Sequence, residues 1–155
     1  MKSLGLERTM VDQAVYDHSV KRFGEEGIAL PTFVQLADPS RIPAAVKAAL
    51  ERVDPNGADP RNLYRVHWHN TVAGRGQVEV PEHLVLPSAL TGVPAPIVAL
   101  LGNRFPMIRA HKVLAAYACL APRIVTGQFD PTSHRAVWPS RASWGAAGWR
   151  CCRRT

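Results

Sequence analysis

Among the residues able to do chemistry, one lysine stands apart by its position. In Arg109-Ala110-His111-Lys112-Val113-Leu114-Ala115-Ala116-Tyr117, Lys112 falls between a short apolar segment and the first turn of an apolar-faced helix. The positive end of the helix dipole and the neighbouring His111 and Arg109 all disfavour its charged form. A neutral lysine amine is what Schiff-base chemistry uses. On local context alone a solvated first-turn lysine is the commoner case.

Other constellations carry less. His67 and His69 are two apart, so on a strand both rings would share a side and could chelate a metal if His83, His111, Asp130 or His134 supplied a further ligand. No His-x-x-x-His or Cys-x-x-Cys pair accompanies them, and two polar histidines on the solvent face of an alternating strand is the favoured reading. Cys119, between Ala118 and Leu120, reads as a small core residue. Gly74-Arg75-Gly76 and Gly102-Asn103-Arg104 are glycine turns with a basic residue that could approach a phosphate, although such short patterns are common in ordinary loops. Ser88 and Ser140 lack the context of a nucleophile elbow.

The elements that must position these residues read as follows. A three-to-four spacing of Met10, Ala14, Val15 and His18 predicts a helix over about 3–24. Asp38-Pro39-Ser40 reads as the start of a second, carried by Ile42, Ala45, Val46, Ala49, Leu50 and Val53 to the stop at Asp54-Pro55-Asn56-Gly57. Between them, 31–36 fits a strand or a turn of helix. Alternation over 63–69 predicts a strand, and eight prolines between Pro81 and Pro139 cut the rest into strand-sized pieces at 83–86, 97–101 and 107–109. A helix from about Lys112 with Val113, Leu114, Ala116, Tyr117 and Leu120 on its apolar face ends at Pro122, and 135–138 reads as a last strand. Helices alternating with short strands predict an α/β layer arrangement with a mostly parallel sheet.

The lysine-then-apolar-helix pattern, followed by Val137-Trp138-Pro139-Ser140, resembles the N-terminal half of fold-type II pyridoxal-phosphate enzymes, the cysteine synthase and tryptophan synthase β-subunit superfamily. His111-Lys112 is similar to the His-Lys pair of tryptophan synthase β-subunits. The 28-residue spacing from Lys112 to Ser140 is similar to that between the family's cofactor lysine and its carboxylate-gripping loop. Ala95-Pro96-Ile97-Val98 and Leu100-Leu101-Gly102-Asn103 fit the approach to that lysine. The resemblance covers about 94–140. It implies a partial three-layer α/β core, pyridoxal 5'-phosphate held by Lys112 with His111 near its phosphate, and Ser140 opening the loop for an amino-acid substrate. It also implies β-elimination or β-replacement as the reaction, and an intact enzyme that is commonly dimeric.

The chain departs from the pattern in three places. Ser-x-Lys-x-Arg, the cysteine synthase signature, is missing around Lys112; Arg141-Ala142-Ser143-Trp144 stands where a Thr-Gly-Asn loop would follow Ser140; and the family's glycine-rich phosphate cradle has no counterpart. The division expected is 1–80 as a helical flank and linker, 81–140 as the start of the enzyme core, and 141–155 as an aberrant basic tail. Codons for that tail can be chosen so that a neighbouring frame reads Thr-Gly-Lys-Leu-Gly-Arg-Gly-Gly-Leu-Ala. The expectation is therefore a frameshifted, truncated product with little or no turnover.

Composition agrees with a folded chain: 155 residues, 46% hydrophobic. Its formal charge of +7 owes four units to the arginines of 141–155, where no acid occurs. A rival reading makes Arg141, Arg150, Arg153 and Arg154, with Trp144 and Trp149, a small nucleic-acid-binding module. The body lacks a matching basic stripe, so nucleic acid is disfavoured as a partner. Three cysteines, two of them adjacent, give no disulfide framework, and no apolar run approaches the ~18 residues of a membrane span. The expected setting is a cytoplasmic protein without a membrane or metal partner.

Overall fold

The computed structural model describes residues 9–131 and mixes helix with strand. The described residues fall into two compact units, one formed by 9–30 and 112–131, the other by 31–111.

In the first unit, α1 (Gln13–Glu25) starts later than the periodicity predicts. Asp12 fixes its start: it is extended, and its carboxylate accepts from the Val15 N–H, satisfying a donor left open at the helix end. Ser19 is the residue α1 buries, with Val15, Tyr16 and Phe23 half-buried. The second helix of this unit, α5 (Lys112–Val125), begins at the residue expected of it. It buries Val113, Tyr117, Ala121 and Ile124, one stripe at three-to-four spacing.

Pro122 does not stop α5, contrary to expectation. It lies inside the last turn, where its carbonyl still accepts from both the Thr126 N–H and the Thr126 hydroxyl. The stop comes at Gly127, whose φ is +73°. There the Gly127 N–H donates to Ile124 O and the Gln128 N–H to Arg123 O, the paired bonds of a Schellman closure. Thr126 O then accepts from the Val11 N–H at 2.8 Å, tying the approach to α1 onto the end of α5.

In the second unit, α2 (Phe33–Ala37) resolves the open segment as helix. Thr32 and Gln35 form a reciprocal capping box, each side chain accepting from the other's N–H. The single helix expected over about 38–53 is two pieces: a 3-10 turn at Pro39–Arg41 and α3 (Ala44–Leu50). Pro43 separates them, because a residue before proline is driven out of the α region, and Ile42 sits at φ −69°, ψ 129°. Ile42, Leu50 and Tyr64 form the buried apolar cluster, with Val46 packed against it.

The strand expected over 63–69 is absent. A 3-10 helix, Pro60–Arg65, occupies its first half, started by Asp59, whose carboxylate accepts from the Arg61 N–H. Six consecutive residues, Asn62 to His67, are buried there, which a strand with one wet face could not achieve. The strands β1 (His83–Leu86) and β2 (Ile97–Leu100) lie where expected but pair antiparallel, His83 opposite Leu100 and Leu86 opposite Ile97. Between them runs a short helix, α4 (Ser88–Thr91). The two-stranded ribbon is the only sheet among the described residues.

Among the described residues no helix is long and apolar enough to cross a membrane.

Candidate functional site

The stretch from β2 to Lys112 is not the strand that 107–109 was expected to form. After β2 the chain makes a 3-10 turn, Gly102–Arg104, and buries Phe105 and Pro106. Met107 and Arg109 then both take left-handed backbone, φ 64° and 50°. They are the only non-glycine residues to do so among those described. Such conformations cost on the order of 1–3 kcal/mol each and cluster where a chain is held for function. Met107 is held by donating its N–H to Pro55 O at 3.2 Å.

This turn delivers His111. Its ring stacks on Trp68 with centroids 5.7 Å apart and planes 20° apart, while Phe105 meets the same indole edge-on at 5.0 Å. The backbone of Gly102 closes on the imidazole: a Cβ there would come within 2.8 Å of His111 Nδ1. Lys112, the next residue, is exposed and opens α5. Glu82, just before β1, pairs with Arg104, and that hydrogen bond holds the carboxyl below its ordinary range.

A second cluster was not anticipated. Arg65 is 3% exposed and donates through Nη1 to Val53 O and Asn62 Oδ1 and through Nη2 to Leu50 O, so it binds together the end of α3 and the turn after it. Among the described residues no carboxylate is in ion-pair contact with it. Asn62, fully buried, donates to Asp54 O and Gly57 O. Asn70 donates to Arg65 O and His67 O. His67 is buried, and its Nδ1 accepts from the His69 N–H at 3.1 Å. An accepting Nδ1 leaves the proton of the neutral ring on Nε2. Burial, then the nearby His69 and Arg65, push its pKa down to about 4.

Two hollows flank Arg65. One, of about 150 Å³, is lined by Asn70, Asn103, Arg104 and Arg109 among others. The other, of about 200 Å³, is lined by Lys47, Glu51, His67 and Gly74-Arg75-Gly76.

The remaining candidates separate. His67 and His69 have ring centroids 6.2 Å apart, but His67 is buried rather than on a wet face. His69 Nδ1 faces Val78 O at 3.0 Å. Among the described residues no three His, Cys, Asp or Glu side chains gather as a metal site. His83 is exposed on β1, and Cys119 is half-buried on α5. Ser140, His134, the strand expected over 135–138 and the Arg/Trp tail lie outside the described residues.

Compared with protein-family models, curated proteins and solved structures, the chain matches none.

Proposed function

We propose that this chain carries the cofactor-attachment segment of a fold-type II pyridoxal-phosphate enzyme acting on an amino acid, with Lys112 as the attachment residue. The observation that carries the reading is an exposed Lys112 that opens an apolar-faced helix, directly after an exposed His111 whose ring stacks on Trp68. The donor chemistry fits the aldehyde end of the group, since Lys112 offers an accessible primary amine. Bound there, pyridoxal phosphate supplies an electron sink for charge left at the substrate α-carbon.

The protein's own residues then have defined tasks. Lys112 would hold the group through its amine and, once released, move the α-proton of the substrate. His111, its ring fixed by Trp68 and Gly102, would stand beside the phosphate. Ser140 would open the loop that receives the substrate carboxylate. β-Elimination or β-replacement, a mostly parallel sheet beyond the observed ribbon, and a cytoplasmic setting belong to the same proposal.

The test is one of attachment rather than turnover, because the family's glycine-rich phosphate cradle has no counterpart in these residues. The purified chain is mixed with pyridoxal phosphate, reduced with borohydride and mapped by peptide mass. Label concentrated on Lys112, and lost in Lys112→Arg, is the expected result. Label spread over Lys2, Lys21 and Lys47, or no label, refutes the proposal.

A further inference from the structure

We infer that the hollow beside Arg65, lined also by Lys47, His67 and Arg75, is a binding site for a small tetrahedral dianion, a phosphate group or its like. The inference is independent of the reading placed on Lys112.

Three observations converge on it. The first is a buried charge with no carboxylate in contact, Asp54 and Asp59 acting on it only at longer range. Arg65 is 3% exposed, keeps its proton at any ordinary pH, and meets only carbonyl and amide oxygens. Three of its five N–H hydrogens are used in those bonds, so two remain to be given. A buried charge without a contacting counter-charge is costly, and a bound anion would supply one.

The second is His67. It is 1% exposed and lines the hollow, and its Nδ1 is already accepting from the His69 N–H. Its Nε2–H has no hydrogen-bond acceptor among the described residues. A neutral imidazole in this tautomer is a fixed donor, and an anionic oxygen is the acceptor that suits it.

The third is the balance of the lining side chains. Lys47, Arg65 and Arg75 are positive, Glu51 is the single acid, and His67 is neutral. The net charge of two matches a dianion. Lys47 spends one donor on Ser40 O at 3.1 Å, and Arg75 spends one on Glu51 O at 3.2 Å, so both are steadied at the rim with donors to spare. Gly74 and Gly76 line the hollow on either side of Arg75, their Cα faces turned against Pro55 and Thr71. At about 200 Å³ the hollow exceeds several times the roughly 30 Å³ share of one water.

The experiment titrates the full chain with inorganic phosphate by calorimetry in a non-phosphate buffer at constant ionic strength, with chloride and acetate as controls. Lys47 and Arg75 lie at the rim, so Lys47→Ala/Arg75→Ala tests the site without emptying the interior. His67→Gln keeps a donor of similar reach, and His67→Phe removes it. Phosphate should bind saturably, the rim double variant should weaken it on the order of tenfold or more, and His67→Phe should weaken it more than His67→Gln. Equal responses to phosphate and chloride, no saturable heat with phosphate, or unchanged affinity in the rim double variant would each overturn the inference. A folded rim variant is confirmed by its circular dichroism spectrum. Tighter binding of acetate than of phosphate would also overturn it.

Discussion

Replacing Gly127 by alanine tests how the unit built from α1 and α5 is closed. Two costs are expected, and the structure allows them to be separated. Gly127 has φ +73°, and left-handed backbone costs an ordinary residue roughly 1–2 kcal/mol. A Cβ at that position would also overlap the Asp12 carbonyl oxygen and come within 2.8 Å of its carbon. Those are backbone atoms that cap α1, so they cannot swing aside as a side-chain tip would. Forced overpacking of this kind costs about 1–3 kcal/mol, bringing Gly127→Ala to about 2–5 kcal/mol. Gly27→Ala is the matched control: it lies in the same unit at φ +62° with nothing within 4 Å of its Cβ position, so only the conformational cost of about 1–2 kcal/mol applies. Urea unfolding of both variants beside the wild type gives the two differences directly. If Gly127→Ala loses no more stability than Gly27→Ala, the closure of α1 onto α5 is not as described.

Stability should also fall as the pH is lowered from about 6.5 toward 4. His67 in the folded chain titrates at about 4, below its unfolded value of 6.5, so the unfolded state binds the extra proton across that window. The loss amounts to roughly 3 kcal/mol once both values are passed. Urea midpoints at several pH values in acetate and MES check it, and the same slope in His67→Gln would disprove the assignment. Asn62→Ala should cost about 2–4 kcal/mol, because it strips the donor from Asp54 O and Gly57 O and an acceptor from Arg65 in a fully buried position. A loss below about 1 kcal/mol would show that water replaces those bonds.

The parts of the fold that could be read in advance are those whose signals are local. β1 lies at 83–86 and α5 begins at Lys112 because prolines and an apolar stripe bracket them. The error at 63–69 has a physical source: Tyr64, Val66 and Trp68 alternate as in a strand, but Asn62 to His67 are all buried, and the polar Asn62 and Arg65 among them are satisfied by carbonyls of residues 50–57. Asp59-Pro60, a capping residue with proline at the first helical position, was the overlooked signal. Pro43 likewise announced the break before α3. No sequence signal marked Met107 and Arg109 as left-handed, since neither is glycine, asparagine or aspartate. Of the candidate sites, the position of Lys112 was legible and the glycine turn around Arg75 was noticed. The buried Arg65 and His67 were not, because their burial depends on contacts made only once the chain has folded.

The unit that carries α1 and α5 consists of two separated lengths of chain, with about eighty residues, 31–111, lying between them. Bringing its halves together closes a long loop, an entropic toll of about 4 kcal/mol if the intervening chain is fully flexible. Once folded, 31–111 no longer samples the conformations of a flexible chain, so less of that entropy is left to lose. The bond from Val11 to Thr126 is therefore easier to make once the middle of the chain has ordered. Whatever steadies Arg65 and His67 lends stability to α1 and α5 through connectivity alone, with no shared surface required.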